Sequence, residues 1–422
     1  MRITSIISEY NPFHEGHNYH IKKTKEITCA DYLIVIMSGN FTQRGTPTIL
    51  DKYARTRQAL SCGADLVLEL PACFATASAE GFAFGAVSIL EKLGVVNSLV
   101  FGSESGDINS IRQIADFLVE EPPAYKDRLQ SFLKQGLSFP KARAKCISEF
   151  IPETSEDFLS SSNNILGIEY CRALNYFRSS ILPMTITRKD NLYHDENLSE
   201  IGKLSSATAI RRTLLNRDTE SLELFHSLSP HIPKPALEIL KEHWNKTAPV
   251  STKDISLLLK YKLLLENRTT LTKYLDVTSD FADRIYNNLN SYTDFDSFCD
   301  LLKTKELTHT RISRSLLHIL LDFTKEDYRM FTSDTENSNK TYGQYARILG
   351  FRKEATPLLH EIKKTSSIPL ISKLSDAAKE LEGTALSMLK KDIQAAHIYD
   401  SIVSDKFHCS FKNEFQRRLI II

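Results

Sequence analysis

The apolar positions of this chain recur with two periods, and the place where one gives way to the other divides it in two. In the N-terminal half, Ile3 to Ile7, Tyr32 to Met37, Asp65 to Pro71 and Ser98 to Glu104 are β-prone segments of strand length built on consecutive apolar residues. Consecutive rather than alternating apolar residues are expected of strands covered on both faces of a parallel sheet. Between them, Asn18 to Glu26, Asp51 to Cys62 and Ala77 to Leu93 have helical spacing. Alternation at about 30 residues per unit predicts α/β architecture, a Rossmann-like doubly wound parallel sheet. Ile108 to Glu149 continues in the helical period, broken at Pro122-Pro123 and Phe139-Pro140, and Ile181 to Thr187 reads as the last strand.

Beyond Arg212 the 3.6-residue period dominates, in Ala236 to Trp244, Asp254 to Leu265, Thr310 to Phe323, Tyr342 to Gly350 and Ile371 to Leu389 among others. This predicts an all-helical C-terminal domain over residues 216–422 behind an α/β domain over residues 1–215. Two domains suit 422 residues, because single cores stop growing at about 250–300.

Composition changes the picture only by exclusion. With 42% hydrophobic and 25% charged residues the chain reads as an ordinary globular protein. A formal net charge of +1 rules out a chain coated in basic charge, while leaving room for a local basic face. No run of about 18 apolar residues and no leader of secretory type is present, so no membrane span and a cytoplasmic location are expected. Seven cysteines are scattered without a C-x-x-C pair, which predicts reduced thiols and neither a disulfide framework nor a protein-held metal.

The candidate chemistry concentrates where the first strand meets the first helix, from Ser8 to His20. Amides in the first turn of a helix lack intrahelical partners and carry partial positive charge, and a glycine beside them lets an anion approach. His14 and His17 flank Gly16 and can add donors that strengthen as charge builds at a phosphate. The loop Ser38 to Pro47 follows the second strand, where open α/β sheets place ligands, and carries Gln43 and Arg44. Asn163 and Asn164 stand at a helix start. Ser205 and Ser206, with Arg211 further on, open another helix and combine hydroxyls, free amides and a guanidinium, a set suited to the β- and γ-phosphates of ATP. In the helical part, Arg311, Arg314 and His318 share a stripe, and Arg347 lies beside Tyr345; interleaved arginines and aromatics suit RNA.

Five segments in order resemble the bacterial tRNA(Met) cytidine acetate ligase family, within the HxGH nucleotidyltransferases: Glu9 to His17 with His14-Glu15-Gly16-His17, Met37 to Gly45, Phe101 to Glu104, Asn163 to Gly167, and Ser205 to Arg211. The resemblance continues through Thr310-Arg311 and Arg347 to Phe351. It implies an enzyme that uses ATP to activate acetate as acetyl-adenylate and passes the acetyl group to the wobble cytidine of elongator tRNA(Met). It implies an ATP site made of Ile7, Ser8, Glu9, Tyr10, Asn11, Pro12, Phe13, His14, Glu15, Gly16, His17, Asn18, Tyr19 and His20, with Gly102, an asparagine of the Asn163-Asn164 pair, Arg188 and Lys189. ATP with Mg2+ is the expected cofactor set, tRNA and acetate the expected partners, and no protein partner is evident. Arg311, Arg314 and Arg347 are the expected tRNA contacts. A metabolic nucleotidyltransferase, and a nucleotide-dependent RNA-binding module without catalysis, are the alternative readings.

Overall fold

The computed structural model describes residues 1–188, 198–199, 205–216, 221–332 and 342–422. Five parallel strands, β1 (Ile3–Ser8), β2 (Tyr32–Ser38), β3 (Leu66–Leu70), β4 (Ser98–Ser103) and β5 (Leu182–Thr187), lie in the order β5-β4-β1-β2-β3. Their side chains alternate between two cores: Leu33, Val35 and Met37 of β2 enter one, Ile34 and Ile36 the other. All five are fully buried, at about 1.5–3 kcal/mol each. The expected doubly wound parallel arrangement is thus present.

The order reverses between β1 and β4, since β2 and β3 are added on one side and β4 and β5 on the other. Pairing of β1 with β4 covers Thr4–Ser98 and Ser5–Leu99 and stops short of the carboxyl ends. A crevice therefore opens beyond Ile7, Ser8 and Gly102, the position at which open α/β sheets take ligands.

The C-terminal half is mostly helical, including His309–Leu321 and the 25-residue helix Gly383–Phe407, but it is not wholly so. The helical reading of Tyr342 to Gly350 is corrected: β6 (Ala346–Phe351) is a strand that pairs antiparallel with β3. On its outer edge sit β7 (Leu370–Ile371), against Ala346 and Arg347, and β8 (Ile420–Ile421), against Gly350 and Phe351. An arginine in the middle of the segment hid the strand. Arg347 is 4% exposed and is tolerated because Glu69 of β3 and Glu414 meet its guanidinium at 3.0 and 2.6 Å, with Lys52 closing the network. No described helix is long and apolar enough to cross a membrane.

Candidate active site

The first helix begins earlier than its apolar spacing indicates, at Glu15 rather than Asn18, and runs to Thr28. The cause is His14, which occupies the N-cap. Its ring Nδ1 accepts the Gly16 amide at 3.0 Å, and the Nδ1 of His17 accepts the amide of His14 at 3.3 Å. A side chain on Gly16 would collide with the His14 ring, so the glycine makes room for a histidine cap. The Glu15 amide is also taken, by the carbonyl of His231 at 2.8 Å. The first-turn amides here are spent within the protein, contrary to the expectation that they would cradle an anion.

What the helix offers instead is a pair of imidazole donors. Burial first, and then Arg188 and Arg211, push His14 down to about 3. His17 is held well below the usual histidine range by burial, His14, Arg188 and His20. Both rings are therefore neutral near pH 7. Because each Nδ1 accepts an amide proton, each proton sits on Nε2, so two N–H donors on rings 3.9 Å apart face the crevice they line.

Around them the described residues converge from the ends of several strands. Ile7, Ser8, Glu9, Tyr10, Asn11, Gly16, Tyr19 and His20 line the crevice with the two histidines. Burial and Arg188 lower His20 to about 4. Pro12, Phe13, Glu15 and Asn18 of the same segment do not line it; Phe13 is core, and Asn18 donates to Glu15 at 2.8 Å. Gly102 contributes from β4, next to the stem of Arg188. Arg188 donates to the side-chain oxygen of Asn163 at 3.3 Å. Asn164 turns inward instead, accepting the amides of Glu104 and Ser105, while Glu104 caps the helix Ser162–Tyr176 at Asn163 and Asn164. Of the asparagine pair, Asn163 reaches the crevice. Lys189 lies outside the described residues.

The helix Ala207–Leu215 faces the crevice with its N-terminus. Ser206 caps it by accepting the Ala209 amide at 3.0 Å, and the amides of Ala207 and Thr208 lack intrahelical acceptors. Arg211 is fixed by the Asn11 carbonyl at 2.7 Å and the Thr208 hydroxyl at 3.0 Å. Burial and Arg44 lower it to about 10, leaving it cationic at neutral pH. Ser205 is corrected: it is buried and bonds the ring of His231 at 3.0 Å.

Gln43 and Arg44 reach the crevice on the loop after β2. Arg55, fully buried, sets that loop by donating to the carbonyls of Glu9 at 2.6 Å, Ser38 at 3.1 Å and Gly39. Sequence reading passed over Arg55, because nothing in a helical Lys-Tyr-Ala-Arg segment says which carbonyls lie overhead. It also passed over Thr208 and Leu166, although both stand inside quoted motifs, and Phe82, Tyr170 and Thr187, whose only signal is helical or strand periodicity.

The expected tRNA contacts fare differently. Arg347 is corrected, being locked in the buried network under the sheet. Arg314 pairs with Asp276 at 3.4 Å and is only 14% exposed at its side chain. His318 is buried between the carbonyls of Leu275 and Thr76. This stripe packs the helix His309–Leu321 inward, and Arg311 alone of the three arginines lies at the partly exposed helix start.

The sequence profile of the HIGH Nucleotidyl Transferase family matches residues 1–414. A tRNA(Met) cytidine acetate ligase from Clostridium perfringens is 40% identical over 411 residues, covering 94% of this chain and 95% of its own. That of Acetivibrio thermocellus is 39% identical over 425 residues, with both chains covered in full. Among solved structures, Thermotoga maritima TmcAL aligns over 100% of both chains at 32% identity, with a TM-score of 0.91 for the apo form and 0.88 for the form bound with alpha-thio ATP.

Proposed function

Because the chain belongs to the tRNA(Met) cytidine acetate ligase family of HIGH nucleotidyl transferases, we infer that it activates acetate with ATP and transfers the acetyl group to the wobble cytidine of elongator tRNA(Met). The observation that carries the reading is the meeting, at the β1/β4 crevice, of two neutral histidine donors with a helix N-terminus and Arg211. ATP lies along the carboxyl ends of the strands, its adenosine over Gly102 and its phosphates between His14, His17 and the start of the helix Ala207–Leu215.

In the first step an acetate oxygen attacks the α-phosphorus, and the bond to the β-phosphate oxygen breaks to release pyrophosphate. Charge grows on the α-phosphate oxygens and on the leaving group. The Nε2–H donors of His14 and His17 serve the former, and Arg211 with the amides of Ala207 and Thr208 serves the latter. Mg2+ would be carried in by ATP itself and would neutralise charge on its phosphates, since Glu9 is the one carboxylate among the described residues lining the crevice. In the second step the cytidine amine attacks the acetyl carbonyl and AMP leaves.

Every described residue lining the crevice lies before position 215, so adenylation is assigned to residues 1–215. The surface that holds tRNA is assigned to the remainder, with Arg311 as its candidate contact, and the cytoplasm, where tRNA is modified, is the proposed location. Incubating the protein with ATP, acetate and methionine tRNA tests the whole. Acetate-dependent pyrophosphate release without tRNA, and N4-acetylcytidine with it, are the expected products; neither appearing would overturn the reading.

A further inference from the structure

Among the groups lining the crevice, one has the wrong charge for a phosphate site. Three histidines and three arginines surround it, and among the described residues Glu9 is the single carboxylate. It is held at both ends: its carbonyl accepts Arg55 at 2.6 Å, and its Oε1 accepts the backbone amide of Gln43 at 2.7 Å. A carboxylate fixed this firmly among cations, on the segment that leads directly into His14, repels a phosphate oxygen and attracts a polarised N–H.

We propose that Glu9 is a catalytic residue of the transfer step: it accepts a hydrogen bond from the exocyclic amine of the target cytosine and takes its proton as the acetyl group moves. The assignment rests on the acetate ligase reading above. Carboxylates pair with the N4 amine of cytosine, whereas the O4 acceptor of uracil would meet the same carboxylate with repulsion. Phe101 and Tyr170, with ring centroids 5.5 Å apart, supply an apolar wall of the same crevice against which an unstacked base can lie.

The chemistry needs such a group, because the lone pair of the amine is delocalised into the ring and nitrogen becomes acidic only as it bonds to carbon. The nitrogen attacks the carbonyl carbon of acetyl-adenylate, an N–C bond forms, and the C–O bond to the phosphate breaks, with AMP leaving as the anion. The proton lost by nitrogen passes to the Glu9 carboxylate and from there to water. Gln43 aims the acceptor through its amide, and Arg55 holds the strand end that carries it.

Glu9→Gln tests this in the full-length protein, since the amide oxygen still accepts from Gln43 while its basicity is gone. Two rates are compared: acetylation of methionine tRNA, and formation of acetyl hydroxamate when hydroxylamine, a far better nucleophile, replaces tRNA. Transfer to tRNA should fall about 10²- to 10⁴-fold relative to the variant's own hydroxamate rate, the range for losing a positioned general base. Glu9→Asp, which keeps a base on a shorter arm, should retain more transfer than Glu9→Gln. A parallel fall of both rates in Glu9→Gln would place Glu9 in adenylation, and an unchanged ratio or equal loss in the aspartate variant would equally overturn the assignment. Failure of the unsubstituted protein to acetylate tRNA would instead refute the acetate ligase reading itself.

Discussion

Ser313 donates its hydroxyl to the carbonyl of Gly45 at 3.0 Å, across 268 residues of chain. Through this bond the helix His309–Leu321 props the loop carrying Gln43 and Arg44 against the crevice. The approach is close enough that Gly45, at φ +78°, has the Ser313–Arg314 backbone where a side chain would begin. The C-terminal half therefore shapes the site although none of its described residues lines it.

Gly45→Ala should accordingly cost more than glycine conformation alone. Left-handed strain is worth about 1–2 kcal/mol, and overpacking a rigid backbone contact adds about 1–3 kcal/mol. Gly383, at φ +53° with nothing within 4 Å of a Cβ, isolates the first contribution. Urea unfolding of the two alanine variants should place Gly45→Ala clearly lower; equal midpoints would mean the loop moves aside freely.

His14 has two separable jobs, cap and donor. Asparagine can accept the Gly16 amide at an N-cap but offers no imidazole N–H, so His14→Asn should keep most of the stability that alanine loses, about 1 kcal/mol. Adenylation should nevertheless fall about 10²- to 10³-fold, the scale for one preorganised donor. Acetate-dependent pyrophosphate release and a thermal melt, run side by side, check both halves.

The depressed histidines make stability depend on pH with a fixed sign. With folded values of about 3 for His14 and about 4 for His20 against 6.5 unfolded, the unfolded chain binds more protons between those limits. Stability must fall as pH drops below about 6.5, by about 1.4 kcal/mol per pH unit for each such histidine, and these groups add nothing above it. Denaturant melts from pH 7 to 4 should show a shallower slope in His14→Asn than in the unsubstituted protein, with the carboxylates common to both cancelling.

Arg211 grips the Asn11 carbonyl and the Thr208 hydroxyl with two different nitrogens, a fork that lysine cannot reproduce. Arg211→Lys should weaken ATP binding about 5- to 30-fold by calorimetry. Unchanged affinity would remove it from the phosphate site.

Arg347 and Arg311 should now behave as opposites. Arg347→Ala leaves two buried carboxylates, Glu69 and Glu414, with Lys52 as their one shared cation and should destabilise by about 3–5 kcal/mol, which a melt will show without any RNA present. Arg311→Gln should leave the melt within about 0.5 kcal/mol while weakening tRNA binding and flattening its salt dependence. Normal tRNA affinity at several salt concentrations would exclude Arg311 from the interface.

The sequence by itself determined the parallel sheet and most of the residues that line the crevice. Buried parallel strands must be continuously apolar, and the residues between Ile7 and His20, Gly102, Ser206 and Arg211 stand at strand ends and helix starts, positions that period and capping chemistry make legible. Tertiary structure alone decided which neighbours face inward. Asn163 lines the crevice and Asn164 does not, although both sit in the same first turn, because Glu104 and Ser105 present amides on one side only. Tertiary structure also made Ala346–Phe351 a strand and Arg347 a buried ion, since the carboxylates that make this possible come from Glu69 and Glu414, far apart in the chain. Local periodicity reports what a segment can bury, but a charged side chain's partner is a property of the packed whole.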